Sequence, residues 1–303
     1  MLVGISFAAF VLLRLAPGGP MAVYAQNPNM SEADMRRIEH ILGLDQPIHM
    51  QYLKWAAGMA SGNMGYSYRT GLPVGQVILA RVPATIQLMG CAYLIAIAFG
   101  LSTGIVSAIR RHSIFDYFST TGAMVGLSVP TFWFGLMVII VFAGMLRWIP
   151  SGGIATLGMP FSIQDRLIHL VGPASVLGLW MTATWSRYTR SSVLEVIGQD
   201  YIRTARAKGL RSRTILMRHT LRNALIPLIT LGGLEFRNLF GGALVTETVF
   251  SWPGVGRLYL DSLNYQDYSV ILGLLFITSI MVLVGSLLAD ILYAVVDPRI
   301  RLR

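Results

Sequence analysis

Long apolar runs alternate along this chain with short polar segments that are rich in arginine. Ala84–Ile109 contains no Lys, Arg, Asp or Glu and is long enough, as a helix, to cross a hydrocarbon core of about 30 Å. Tyr117–Leu146 is a second uncharged run, and Pro130 within it predicts a kink that frees a backbone carbonyl. Leu167–Ser186 (with Pro173 inside), Asn223–Thr246 and Tyr268–Ala289 complete the long runs. Met1–Leu13 is apolar up to Arg14 and the turn Ala16-Pro17-Gly18-Gly19-Pro20. A helix of about fifteen residues reaches about 23 Å, so this first span is short. Either more chain precedes it or snorkelling and local thinning complete it. A cleaved signal peptide is the rival reading, disfavoured because no basic segment precedes the apolar run.

The charges orient these spans. Arg110-Arg111-His112 follows one run, Arg187 and Arg190 close another, and the tail from Asp297 to Arg303 is basic. Lys and Arg resist translocation, so these ends face the cytoplasm. The reading is an all-α polytopic membrane protein of six transmembrane helices, the first apparently truncated, with both termini cytoplasmic. Residues 16–82 form the one sizeable polar segment outside the spans, and their charges nearly cancel, which permits export. Within them Ser31–Gly43 predicts an N-capped amphipathic helix with Met35, Ile38 and Ile41/Leu42 on one face and Gly43 closing it. Residues 147–166 read as a Gly/Pro-containing exterior loop.

Composition supports the membrane class. Hydrophobic residues make up 54% and charged residues 13%, against about 25% charged in a soluble domain. The net charge of +10 could suggest nucleic acid, but the cations cluster beside apolar spans, and nucleic acid is rejected. The single cysteine, Cys91, lies inside an apolar run and reads as a small buried hydrophobe.

The densest polar segment lies between apolar runs. From Arg187 to Arg222 there are nine Lys/Arg, at 187, 190, 203, 206, 208, 211, 213, 218 and 222, against Glu195 and Asp200. Asp200–Lys208 predicts a short helix with Asp200 as N-cap. Gly209 ends it in the left-handed conformation, and a second helix starts near Ser212. "DYIRTARAKGL…RHTLRNALIPLIT" resembles the cytoplasmic coupling loop of the permease subunits of oligopeptide, dipeptide and nickel ABC importers. Arg203-Thr204-Ala205 stand where that family's Glu-Ala-Ala would, Gly209 is its glycine, and Ile226-Pro227 ends the pattern. "LGLDQP", "GNMGYSYRTGLPV", "TETVFSWPGVGRL" and "DPRIR" resemble the same permeases, so the resemblance covers nearly the whole chain, taken as a single transmembrane domain of residues 1–303. It implies that residues 187–222 form the coupling loop. Asp200, Tyr201, Arg203, Thr204, Ala205, Arg206, Ala207, Lys208 and Gly209 would meet an ATPase. The bland reading of the loop is a basic juxtamembrane helix that sets topology or touches anionic membrane lipid.

Chemistry that is missing narrows the role. A phosphate loop needs a Gly-Lys step, and the only lysines are Lys54 after Leu53 and Lys208 after Ala207. The chain is therefore expected to be no enzyme and to hold no cofactor, with ATP and Mg bound by separate ATPase subunits. The histidines at 40, 49, 112, 169 and 219 show no zinc spacing, and His169 reads as a hydrogen-bonded structural residue. Glu235 and Arg237 depart from the family pattern, which is uncharged there. Charges at membrane depth usually face a cavity or a partner, so both are candidate pathway residues. Glu235 would meet a substrate amine, or else pair with the partner subunit. Glu247 is expected near the exterior end, in reach of water.

The resemblance implies one permease of an importer for di- or oligopeptides in a bacterial or archaeal cytoplasmic membrane. A second homologous permease, two ATPases and an extracytoplasmic substrate-binding protein complete it. Residues 16–82 would form either a shelf for that binding protein or packing over the bundle. Nickel, glutathione or oligosaccharide are alternative solutes. An ion-coupled secondary transporter is the rival class; it predicts internal repeats and midplane acids on broken helices, and no convincing repeat is present.

Overall fold

The computed structural model describes residues 2–15, 19–21, 30–236 and 243–296. Arg237, part of the Ala16–Pro20 turn and the basic tail lie outside the described residues. Among the described residues the chain is helical, with one isolated bridge between Tyr66 and Pro73. Three helices among the described residues are long and apolar enough to cross a membrane: Val74–Ile109, Ile163–Ile197 and Tyr268–Leu287. A fourth span is available if Ile114–Ser128 and Thr131–Met145 count as one, although they meet at 100°. Leu2–Leu15 is apolar but shorter.

That 100° angle corrects the expected kink. Proline disfavours the helical region for the residue before it and cannot donate a hydrogen bond itself. Val129 accordingly adopts ψ 124° and Pro130 ψ 132°, two extended residues in succession, and the helix breaks outright. Pro173 behaves differently, because the Ile163–Ile197 helix continues through it for 35 residues. That is about 52 Å at 1.5 Å per residue, more than a bilayer core needs. Its last turns carry Arg187 and Arg190, so the basic stretch begins as rigid helix rather than as a loop.

By its contacts the chain divides into two compact units, Met1–Thr85 with Pro253–Val282, and Ile86–Trp252 with Leu283–Arg303. In the first, Val74, Ile78, Val255, Leu258, Val270 and Leu274 form a buried cluster. Phe10, Tyr52 and Leu272 form another, extended by Trp55. Ser31 caps the Glu32–Ile41 helix in a reciprocal box with Asp34. Its hydrogen bonds hold the Asp34 carboxyl below the ordinary aspartate value. The cap at the other end is Leu42, with Gly43 one residue beyond it at φ +66°. The expected apolar face of this helix is only partly covered, and Ile41 is 71% exposed. Asp267 is buried and accepts from the Ser67 hydroxyl at 2.5 Å and from the Tyr68 N–H at 3.1 Å, pinning the 65–72 loop.

The second unit is built on a close helix pair. A Cβ at Gly100 would lie 2.5 Å from Trp185 Cβ, and one at Gly104 would lie 2.6 Å from the Ser186 carbonyl oxygen. Small residues four apart let two apolar helices touch backbone to backbone, the usual means of association where lipid removes the hydrophobic driving force. Phe250, almost fully buried, packs with Val138 and Val176. Cys91, expected to be buried, is only partly so. Glu247 is a clear correction, because it is fully buried. The Trp252 N–H donates to its carbonyl at 2.8 Å, closing the C-terminus of the Leu244–Val249 helix.

Candidate coupling surface and membrane-depth acid

The short basic helix forms as Asp200–Ala207. Its N-cap is Gln199 rather than Asp200, because the chain is still extended at 199 (ψ 148°) and already helical at 200. Asp200 therefore lies in the first turn, where a carboxylate favours the positive end of the helix dipole, and it pairs with Arg203 at 3.1 Å. The C-terminus closes on Gly209 at φ +72°. The Gly209 N–H donates to the Arg206 carbonyl at 2.9 Å and the Leu210 N–H to the Ala205 carbonyl at 3.3 Å. These two bonds are the Schellman pattern, which needs a left-handed residue at this position.

One face anchors the helix and the other is free. Ile202 (0% exposed) and Ala205 pack with Ile215 and Val196. Asp200, Tyr201, Arg203, Thr204, Arg206, Ala207, Lys208 and Gly209 are exposed. Thus eight of the nine residues singled out in the sequence share the open side, and Ala205 is part of the seat. The Tyr201 hydroxyl accepts from the Asn223 amide at 3.2 Å, tying the helix to the next one. Beyond Gly209, Ser212–Thr214 passes through a π-helical segment, Ile215–Thr220, into Leu221–Ala224. Ser192 donates to the Ala224 carbonyl at 2.7 Å, and Ala108, Val193 and Ala224 form a buried cluster.

Asp116 was not singled out in the sequence, where it stands just before an uncharged run. It is 3% exposed and receives two hydrogen bonds from Arg190, from Nε at 2.6 Å and from a terminal nitrogen at 2.9 Å. The Ser107 hydroxyl and the His112 N–H also donate to it. A fork-to-fork arginine–carboxylate pair of this kind is directional as well as strong. It fixes the Arg110–Ser113 corner to the long helix that leads into the Asp200–Ala207 segment. A legible signal was there: Ser113 three residues before Asp116 is a helix-start spacing, and Ser113 does cap Ile114–Ser128.

Glu235 is half-buried near the end of the Ile226–Phe236 helix. The Tyr93 hydroxyl donates to its main-chain carbonyl at 2.6 Å and lies 3.4 Å from a carboxylate oxygen. The acid thus has a polar neighbour within its own chain. His169 is buried, with Nδ1 at 3.1 Å from the Gly152 carbonyl and Nε2 at 3.4 Å from the Thr156 hydroxyl. That is a loop-holding role. Among the described residues no cluster of His, Cys, Asp or Glu could hold a metal ion.

Comparison with known proteins accounts for this arrangement. The model of the binding-protein-dependent transport system inner membrane component matches residues 100–302, and that family's N-terminal model matches residues 1–89. The chain belongs to this transport family. The permease is 45% identical over 300 residues to the oligopeptide transport system permease protein AppB of Bacillus subtilis, covering 99% of this chain and 95% of that one. It is 37% identical over 320 residues to the dipeptide transport system permease protein DppB of Escherichia coli K12, covering 99% and 94%. Among solved structures, the MetNI methionine ABC transporter in inward-facing conformations shares its fold, with a TM-score of 0.58 at 18% identity over 73% of this chain and 97% of that one. An amino acid ABC transporter matches with a TM-score of 0.55 at 14% identity, over 72% and 94%.

Proposed function

We propose that this permease is one of two transmembrane subunits of an ATP-driven importer for di- or oligopeptides, resident in a bacterial or archaeal cytoplasmic membrane. The observation that carries the reading is the exposed basic helix Asp200–Ala207, seated by Ile202 and closed by Gly209, in a chain matched along nearly its whole length by peptide permeases. In this reading six spans cross the bilayer with both termini in the cytoplasm. Leu2–Leu15 is the first and the helix from Ile226 begins the fifth. Within residues 187–222 the exposed side of residues 200–209 meets an ATPase, and two ATPase subunits beneath the pair of permeases bind ATP and Mg. A binding protein delivers peptide from outside, and the pathway runs between this chain and a second permease.

The exposed side of the coupling helix sets what it can meet. Arg206 and Lys208 are exposed cations, while Arg203 is partly neutralised by Asp200. An ATPase groove with acidic rims and an apolar slot for Tyr201 would match it. Sideways movement of that groove would be passed on through the Ser192–Ala224 bond and the Asp116–Arg190 pair to the long helix. Glu235, with Tyr93 beside it, is assigned to the pathway wall or to the contact with the second permease, together with Arg237.

The test is reconstitution. The purified chain alone should hydrolyse no ATP. Vesicles holding both permeases and the ATPases should hydrolyse it in response to peptide-loaded binding protein and accumulate that peptide. Turnover by this chain in the absence of ATPase subunits would refute the assignment.

A further inference from the structure

The bent pair Ile114–Ser128 and Thr131–Val138 and the long helix Ile163–Ile197 enclose an open-sided cavity of about 600 Å³. Its wall is mainly aromatic and aliphatic: Phe115, Phe118, Trp133, Phe134, Leu179 and Trp180. A second cavity of about 220 Å³ adjoins it and is richer in polar groups, with Ser119, Thr120, Arg187, Arg190 and Ser191 lining it beside Ala123 and Leu194. Ser119, Ala123 and Ser186 border both, so the two form one groove, apolar along most of its length and basic at one end.

The two arginines at that end differ in availability. Arg190 is held by Asp116. Arg187 is exposed, and no hydrogen bond or ion pair engages it among the described residues. We propose that this groove holds one anionic phospholipid of the cytoplasmic leaflet, an acyl chain lying along the aromatic wall and the phosphate at Arg187. An acyl chain suits a wall with few polar atoms, whereas a peptide backbone there would leave its N–H and C=O groups without partners. A phosphate suits a free guanidinium flanked by hydroxyl donors. The level is also right. The Ser107–Asp116–Arg190 network ties this end of the groove to the Arg110-Arg111-His112 corner, which the arginine distribution places at the cytoplasmic surface, where anionic lipids concentrate. A partner helix, the other conceivable occupant, would fill the apolar wall but leave Arg187 and the hydroxyl cluster unused.

The test uses the full importer complex reconstituted in vesicles of equal phosphatidylglycerol and phosphatidylethanolamine, re-extracted in detergent, with retained lipid counted by mass spectrometry. Arg187→Gln should lower retained phosphatidylglycerol roughly fivefold, the value of one cation near a membrane surface. Gly122→Leu fills the groove, since a Cβ at Gly122 meets nothing within 4 Å. It should lower retention roughly tenfold by displacing about two methylenes. Arg111→Gln, at the same level but outside the groove, should change nothing. Unchanged retention in both groove variants would overturn the proposal. So would equal losses in Arg187→Gln and Arg111→Gln, which would mean general attraction to a basic surface. A photo-activatable residue at Phe118 adds an independent arm: cross-linking to phospholipid supports the site, and cross-linking to the second permease in its place overturns it. Each variant is scored only against peptide-stimulated ATP hydrolysis of the same preparation, so loss of the transport reading itself would be seen separately.

Discussion

Gly209→Val isolates the corner of the coupling segment, because nothing but the backbone opposes it. A Cβ at Gly209 meets no atom within 4 Å, so the substitution brings no clash with the rest of the protein. What remains is the conformation. At φ +72° a side chain costs about 1–2 kcal/mol, more for a β-branched residue. The chain can escape that strain only by opening the corner, which gives up the bonds from Gly209 to Arg206 and from Leu210 to Ala205, each worth about 1 kcal/mol net. The two routes cost nearly the same, so the variant should divide between a strained corner and an open one that misdirects Arg211 onward. Import should fall roughly five- to thirtyfold, the range that 1–2 kcal/mol spans, while ATP hydrolysis falls less. Gly209→Asn provides the decisive control, because asparagine tolerates the left-handed region. It should recover most of the import. The measurement is peptide uptake per ATP hydrolysed in reconstituted vesicles, with the amount of assembled complex held equal. Normal coupling in Gly209→Val, or equal damage from Val and Asn, would refute the argument.

Three further outcomes follow from the same geometry. Asp116→Asn removes the charge facing Arg190, and breaking a largely buried pair costs about 3–5 kcal/mol, here toward the lower end because Arg190 keeps 28% exposure. Thermal denaturation of the complex should drop markedly, and adding Arg190→Gln should cost little more; additive losses would mean that the two residues do not act as a pair. Glu235→Gln leaves the Tyr93 bond to the main chain intact and so tests the charge alone. Selective loss of amine-bearing substrates with an intact complex supports a pathway role, whereas equal losses with weakened co-purification of the second permease support a contact between subunits. The Ser31–Asp34 capping box should be pH-sensitive. Asp34 is held below its ordinary value, so its contribution is complete above that value and is lost as pH falls through the depressed one. Backbone chemical shifts of the first turn of Glu32–Ile41 should move toward coil in acid, and Ser31→Ala should abolish the transition.

Much of the helical layout was legible, because uncharged runs are one-dimensional signals that translate directly into apolar helices long enough to span a bilayer. The left-handed Gly209 was legible too, since a glycine after a run of good helix formers leaves few alternatives. Departures came where a local rule had two outcomes. Pro130 could kink or break its helix, and the extended Val129 before it decided for a break. Glu247 was placed in water because it neighbours two threonines near the end of an apolar run. The fold instead buries it completely, and burial of a single acid has no periodicity to announce it. Asp116 went unremarked as well. It stands just before an uncharged run, and its value lies in Arg190, 74 residues away in sequence.

The unbroken Ile163–Ile197 helix has a consequence for how this domain tolerates change. At one end Asp165 holds the Thr156 loop, with the Thr156 N–H donating at 2.8 Å; near the other, Arg190 grips Asp116. Between them the helix runs through Gly172, Pro173 and Gly178 without a break, leaving no turn or loop in which an extra residue could be absorbed. Each residue of an α-helix advances the azimuth by about 100°. A single insertion in this stretch would therefore swing Arg190 away from its acid if the Asp165 end stayed in register, or turn Asp165 off its loop if the Arg190 end did. Inserting about seven residues, two whole turns, would restore the azimuth, but the helix would then be about 10 Å longer and one of the two contacts would still part. The Thr156 loop and the Asp116 corner are thus locked in rotational phase through one helix, and its length is fixed as firmly as its sequence.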